Sequence, residues 1–376
     1  MIHKLGYIDA IDFGEMNAMK YYSPPATWSD EKKRENVRNK IFSNDWYGAE
    51  KKDGYFTKIV KDDDGNVLVY SRSRSKVTGE YVNKKDWLPQ LKSFFDLIPN
   101  GTCFLGELYF PSAPGSKNVT TIMQCLKDKA ISRQEDGEYL HLYIFDVLAF
   151  DGTSFMTHCA EDRFDHLYDY ANIYRSPYVE WALYECGQRL WVKLQTVLGQ
   201  GGEGMVITHK DALYEPDKRP SKTTLKIKKE LEDSIDCFFT GKTTPPTQEY
   251  TGSEIGTWKY WQDILTGEKL EGELENDYSK GRAIRPISKS YFYGFAGSLE
   301  IGVFDGDKII PIGFLSGLTE EIRANPQKYA MKPIAVTAME IDTSNPIPTL
   351  RHGKLINFRP DLSLSDCTLE KFINQK

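Results

Sequence analysis

Residues 48–60 read GAEKKDGYFTKIV, and within them Lys51-Lys52-Asp53-Gly54 forms a K-x-D-G that opens onto a β-rich run. Taken alone, such a tetrapeptide is a solvated turn. Upstream, residues 27–42, TWSDEKKRENVRNKIF, run from polar N-cap candidates through acidic to basic residues, an order matched to the helix macrodipole. Downstream, YFTKIV and VLVYSR are joined by KDDDGN, whose Asp and Gly residues favour a tight turn. The pattern predicts a helix leading into the K-x-D-G and a hairpin behind it. Lys51 stands just before one strand, and Arg72 ends the other.

Beyond the hairpin, TCFLGELYF (102–110), YLHLYIFDVLAF (139–150), GMVITH (204–209) and TTLKIKK (223–229) carry strand signals, with helical stretches at 161–172 and 180–198. Residues 1–237 therefore read as one mixed α/β unit. From Asp236 the composition shifts to a Pro-, Gly- and aromatic-dotted stretch, expected to be a linker with an insertion over 243–291. Strand signals return in GSLEIGVFDGDKIIPIGFLSG (297–317), PIAVTAMEID (333–342) and KLINFRPD (354–361), so residues 238–376 read as a small β-barrel, an OB-type fold being one that binds nucleic acid.

At 376 residues, with 40% hydrophobic and 13% aromatic residues, the chain is long enough for two cores and too apolar to be disordered. No apolar run is long enough to span a bilayer and none resembles a signal peptide, so a soluble protein without a membrane partner is expected. The six cysteines lack a C-x-x-C pair, which argues against a zinc site or a disulfide framework and for a reducing cytoplasm. A formal net charge of −6 excludes a histone-like binder, so any nucleic-acid surface must be a segregated basic patch.

After the K-x-D-G come, in order, SRS at Ser71–Ser73, LGELYF around Glu107, YIFDVLAFDG around Phe145 and Asp146, EGMVI at Glu203–Ile207 and LKIKK at Leu225–Lys229. This ordered series resembles that of the covalent nucleotidyltransferases, the superfamily of ATP-dependent DNA ligases, RNA ligases and mRNA capping enzymes. The C-terminal LRHGKLINFRPDLSLSDCT (350–368) resembles the last motif of DNA ligase OB domains and favours the DNA ligases. The minimal viral and bacterial type is the one this chain looks like, from about Gly48 onward.

The resemblance implies an α+β fold, an ATP-grasp-like nucleotidyltransferase domain of antiparallel sheets and helices followed by an OB-fold barrel. It implies nick sealing through a lysine-AMP on Lys51, with ATP as adenylate donor, Mg2+ or Mn2+ as metal, and nicked duplex DNA as the partner of a monomer. Repair, replication or recombination would be its setting. A lysine suits the chemistry, since its amine can form a phosphoramidate and release it, once nearby cations and desolvation favour the neutral form. Lys226 and Lys228 supply such cations.

By the same resemblance Glu50, Lys51, Arg72, Glu107, Phe145, Val206, Lys226 and Lys228 face the nucleotide. Phe145 and Val206 cover the two adenine faces, and Glu107 meets the ribose and, with Glu203, the metal. Arg72 grips the 5′-phosphate of the nick, a task suited to a bidentate guanidinium. Arg359 and Asp361 orient the β- and γ-phosphates. The insertion's Trp258, Tyr260 and Trp261 with Lys280, Arg282, Arg285 and Lys289 are read either as a clamp on DNA or as a plain surface loop.

Two positions depart from the family pattern. Family members usually carry an arginine five residues after the nucleophile, where this chain has Phe56, and Lys58 is the nearest cation to replace it. Leu362 follows Asp361 where a Lys or Trp is common. An RNA ligase or a capping guanylyltransferase shares the lysine chemistry, and a catalytically dead nucleic-acid-binding module is the alternative of another class. The intact Lys51, Glu107, Glu203, Lys226 and Lys228 argue against the last.

Overall fold

The structure, a computed structural model, describes residues 5–21, 31–75, 77–112, 115–220, 222–228, 234–250, 252, 255–272, 283–338, 340–342, 347–351 and 353–374. The chain divides into two compact units, Met1–Lys229 and Glu230–Lys376, so the division falls slightly before the expected 237/238.

In the first unit the strands are β1 (Tyr7–Ile8), β2 (Ile11–Asp12), β3 (Trp46–Glu50), β4 (Tyr55–Lys61), β5 (Val67–Ser71), β6 (Thr102–Tyr109), β7 (His141–Phe150), β8 (Thr153–Ser154), β9 (Val179–Trp181), β10 (Glu185–Cys186), β11 (Gly204–His209) and β12 (Thr224–Lys228). One sheet has the order β5-β4-β6-β7-β8, with β9 parallel to β7, and the other has β10-β3-β11-β12. The expected β4–β5 hairpin is present, pairing Thr57 with Ser71 at its open end. The expected helix at 161–172 spans Ala160–Ile173. The one expected at 180–198 is instead β9, β10 and then the helix Gly187–Gly199, because Val179–Trp181 pairs with β7 and wins those residues for the sheet.

Strands β4, β6 and β7 are buried along most of their length, which explains their nearly continuous apolar sequence. One side of their sheet packs Ile59, Phe94, Phe104, Leu142 and Trp181. The other packs Val60, Leu68 and Leu105 under Ile8, Phe13 and Met19 of the N-terminal segment. The second sheet is backed by the helices Glu31–Phe42 and Gly187–Gly199 through Val37, Ile41, Leu190 and Leu194 against Met205 and Ile207.

The second unit carries β13 (Ile235–Thr244), β14 (Tyr260–Asp263), β15 (Lys269–Glu271), β16 (Ile284–Pro286), β17 (Ser298–Asp305), β18 (Lys308–Leu315), β19 (Pro333–Thr337), β20 (Glu340–Asp342), β21 (Thr349–Arg351) and β22 (Lys354–Phe358). Its main sheet, β18-β17-β13-β19-β22, is antiparallel throughout. The linker expected to begin at Asp236 is in fact the long strand β13, whose Ile235, Cys237, Phe238 and Phe239 are buried. The expected insertion forms a separate sheet, β15-β14-β16, closed by the indole of Trp261 donating to the Gly272 carbonyl at 2.9 Å.

Candidate active site

Two cross-strand rows of side chains line a cleft of about 450 Å³ in the first unit. On one sheet, register aligns Ala49 with Val206 and Val206 with Lys226. On the other, Phe56 is opposite Glu107 and Glu107 opposite Tyr143. All six line the cleft. The alternation of a β-strand thus turns Ala49, Phe56, Glu107, Tyr143, Val206 and Lys226, with Thr208 and Thr224 beside them, toward one space.

Lys51 follows the last residue of β3 and extends the ladder, its amide donating to the Gly204 carbonyl at 2.9 Å. Its ammonium is paired with the carboxylate of Glu203 and also donates to the Lys52 carbonyl at 3.3 Å. Lys226 lines the cleft two residues from Lys228, whose backbone pairs with Gly204 and whose side chain lies outside the described residues. Gly54 completes the K-x-D-G because a Cβ there would stand 2.1 Å from the Leu108 carbonyl oxygen, so only glycine lets the loop lie on β6.

Glu107 stands where burial pushes its carboxyl up to about 7; Glu203 adds to that rise, while Lys51, Arg72 and Lys226 oppose it. At the cleft wall Asp146 forms a buried, two-pronged pair with Arg163, at 2.8 and 3.2 Å, and Arg163 also donates to the His158 carbonyl at 2.9 Å. That pair anchors the Ala160–Ile173 helix to β7 and supplies the ordering role for Asp146 that sequence alone left unspecified. Phe145 is held from several sides: Tyr184 donates to its carbonyl at 2.6 Å, and the Tyr21 ring meets its ring edge-on at 6.2 Å.

Arg72, just after β5, lines the cleft, donates to the Met19 carbonyl at 2.9 Å and lies over the Phe56 ring at 4.2 Å. Lys58 does not replace the missing arginine. Its amine is buried and donates to the carbonyls of Phe13, Gly14 and Met16 at 2.5, 2.9 and 2.7 Å, so it ties the N-terminal segment to β4 instead.

The reading of the sequence missed Lys52, Tyr143, Tyr184 and the segment around Met19 and Tyr21, all of which line the cleft. Lys52 sits between the rings of Tyr109 and Tyr143, at 5.0 and 5.2 Å, and pairs with Glu50 at 3.0 Å and Glu180 at 3.3 Å. Glu50 lines the cleft as expected while holding this neighbour. A lysine beside the nucleophile carries no signal of its own, and Met19 and Tyr21 reach the cleft only through tertiary packing.

In the second unit Arg359 donates to Asp361 at 2.7 and 2.9 Å and to Asp236 at 2.9 Å. Arg285 on β16 donates to the Gln262 side chain at 2.8 Å, and Lys289 pairs with Glu320 at 2.8 Å. Lys280 and Arg282 lie outside the described residues. Among the described residues no three His, Cys, Asp or Glu side chains group as a metal site, and no helix is long and apolar enough to cross a membrane.

Among solved structures the chain is similar to one of Lig E DNA ligases, described as binding DNA with a minimal scaffold, at 15% identity and a TM-score of 0.54 over 92% of this chain and 98% of that one. It is also similar to Pmar-Lig_Pre, at 13% identity and a TM-score of 0.56 over 92% of this chain and 68% of that one. At such identities the likeness concerns the fold, a nucleotidyltransferase unit of antiparallel sheets and helices. No curated protein sequence matches. The family described as the ATP dependent DNA ligase domain matches residues 30–228. That match takes in the K-x-D-G, both cleft rows and more than half of the 376 residues, and the chain therefore belongs to the ATP-dependent DNA ligases, enzymes that use ATP and a divalent metal to seal nicks.

Proposed function

We propose that Lys51 is the nucleophile of a three-step nick-sealing reaction. The reading is carried by one observation: the Lys51 ammonium, paired with the Glu203 carboxylate, lines the same cleft as Lys226 and Arg72. Once deprotonated, its amine attacks the α-phosphorus of ATP; the P–N bond forms as the bond to pyrophosphate breaks. A 5′-phosphate oxygen of the nick then attacks the same phosphorus, and Lys51 leaves. The 3′-hydroxyl attacks the 5′-phosphorus last, closing the phosphodiester and expelling AMP.

Phe145 and Val206 flank the adenine, Glu107 accepts from the ribose, and Lys226 and Lys228 offset charge on the α-phosphate. The donor set suits Mg2+, which takes few carboxylates beside phosphate oxygens, and Glu203 is near enough to Glu107 to raise its proton affinity. Bound there, the metal neutralises charge on the phosphates. Arg72 receives the nick's 5′-phosphate, and Arg359 with Asp361 receives the β- and γ-phosphates. The second unit is an OB-type barrel, a reading supported by its five-stranded antiparallel sheet. Its 243–291 insertion clamps DNA through Lys280, Arg282, Arg285 and Lys289. The enzyme works as a cytoplasmic monomer on nicked duplex DNA; every wall of the cleft comes from one unit of one chain, and all six cysteines are free.

The test is label transfer from α-labelled ATP, followed by a sealing assay on nicked DNA, RNA and hybrid duplexes. Lys51→Ala should yield no labelled protein. A labelled adduct in that variant, or labelling by GTP alone, would overturn the reading.

A further inference from the structure

The family's usual arginine is absent at position 56, and the cation that lies over the residue there comes from just beyond β5. The guanidinium of Arg72 lies 4.2 Å from the centre of the Phe56 ring, while one of its amino groups donates to the Met19 carbonyl at 2.9 Å. These two contacts fix a plane and a direction. The ring is itself fixed: Phe56 is only 9% exposed, lies in β4 opposite Glu107, and packs beside the Phe145 ring at 6.3 Å. The carbonyl belongs to a segment that precedes the matched family region and is pinned to β4 by Lys58 through its bonds to Phe13, Gly14 and Met16. Both halves of this seat thus lie outside the family pattern.

Aromatic faces attract guanidinium groups, and an arginine on an open surface samples many rotamers whose loss weakens any contact it makes. At position 56 a ring in place of an arginine offers Arg72 an attractive face. We infer that Phe56 is the positioning residue of Arg72, holding its guanidinium toward a phosphate bound in the cleft. This inference rests on the reading that Arg72 receives the 5′-phosphate of the nick.

The test compares the affinity of the full-length enzyme for a nicked duplex bearing a 5′-phosphate with that for the same duplex bearing a 5′-hydroxyl. Phe56→Leu keeps an apolar side chain of similar bulk and removes the π face. It should shrink the preference for phosphate by about threefold to tenfold, Phe56→Tyr should restore it, and Arg72→Ala should abolish it. Phe56→Leu added to Arg72→Ala should cost nothing more, the signature of a residue acting through the other. Thermal unfolding of each variant identifies any that fails to fold, in which case the Tyr and Leu pair is replaced by Phe56→Trp and Phe56→Met. A Phe56→Leu enzyme with full phosphate preference, or additive losses in the double variant, would overturn the inference while leaving Arg72 its role. An Arg72→Ala enzyme with full preference would overturn the role of Arg72 and the inference with it.

Discussion

The ammonium of Lys51 and the carboxylate of Glu203, 152 positions apart in the chain, form an ion pair at the cleft, with side chains only 18% and 9% exposed. The proposed nucleophile is therefore held by the carboxylate that raises the proton affinity of Glu107.

Glu203→Gln keeps the shape and removes the charge, so Lys51 loses its carboxylate partner and the proposed metal site loses a charged oxygen. Self-adenylylation measured with α-labelled ATP should fall by at least about tenfold, equivalent to about 1.4 kcal/mol or more. An unchanged rate would remove Glu203 from the site.

Asp146 and Arg163 are both almost wholly buried. Truncating either leaves an uncompensated charge in a low-dielectric interior, which typically costs about 3–5 kcal/mol. Arg163→Ala should therefore lower the urea midpoint of the first unit strongly and weaken ATP binding, since Asp146 borders the cleft. A loss below about 1 kcal/mol would mean that water replaces the guanidinium.

Glu107 makes stability depend on pH with a definite sign. Its carboxyl is raised to about 7 in the folded enzyme, against about 4.3 in an unfolded chain. Between these values the folded state binds more protons, so its contribution is fully present below about 4.3 and is lost as pH rises toward 7. The melting temperature of the ligand-free enzyme, relative to Glu107→Gln, should fall across that window. A difference that rises with pH, or does not change, would show that Glu107 is not desolvated.

Arg359→Ala should slow reaction with ATP and spare the sealing of a nick that already carries 5′-AMP, because its partner in the proposed mechanism is the departing pyrophosphate. Equal loss in both assays assigns Arg359 to DNA binding or to the stability of β13, where Asp236 receives it.

Neutralising Lys280, Arg282, Arg285 and Lys289 should weaken nick binding and flatten the fall of log affinity with log salt by about 0.9 for each phosphate that is no longer neutralised. The two described members are engaged by Gln262 and Glu320. An unchanged slope would show that DNA is held elsewhere.

The residues that share the cleft were legible as short local strings: the K-x-D-G in the loop between β3 and β4, and Glu107 amid LGELYF and Lys226 within LKIKK on strands whose alternation turns them toward it. Less legible were the elements that depend on partners far away in sequence. Val179–Trp181 has helical neighbours and becomes a strand only because β7 offers a free edge. Lys58 had the charge of a ligand and is spent on backbone carbonyls, since nothing local announces that residues 13–16 fold back over β4. The polar character around Asp236 suggested a linker, but the buried run Ile235, Cys237, Phe238 and Phe239 makes β13 the centre of a sheet.

The order β10-β3-β11-β12 has a bearing on the enzyme's synthesis. Strand β3, which ends one residue before Lys51, is flanked by β10 and β11, strands made more than 130 residues later, and Lys226 lies on β12, beyond β11. A ribosome-bound chain that has exposed Lys51 has no neighbouring strand to fix it, because such distant pairing waits for loop closure. On the proposed mechanism, chains that stop before β10, β11 and β12 lack both Lys226 and the strands that hold Lys51, and should not react with ATP.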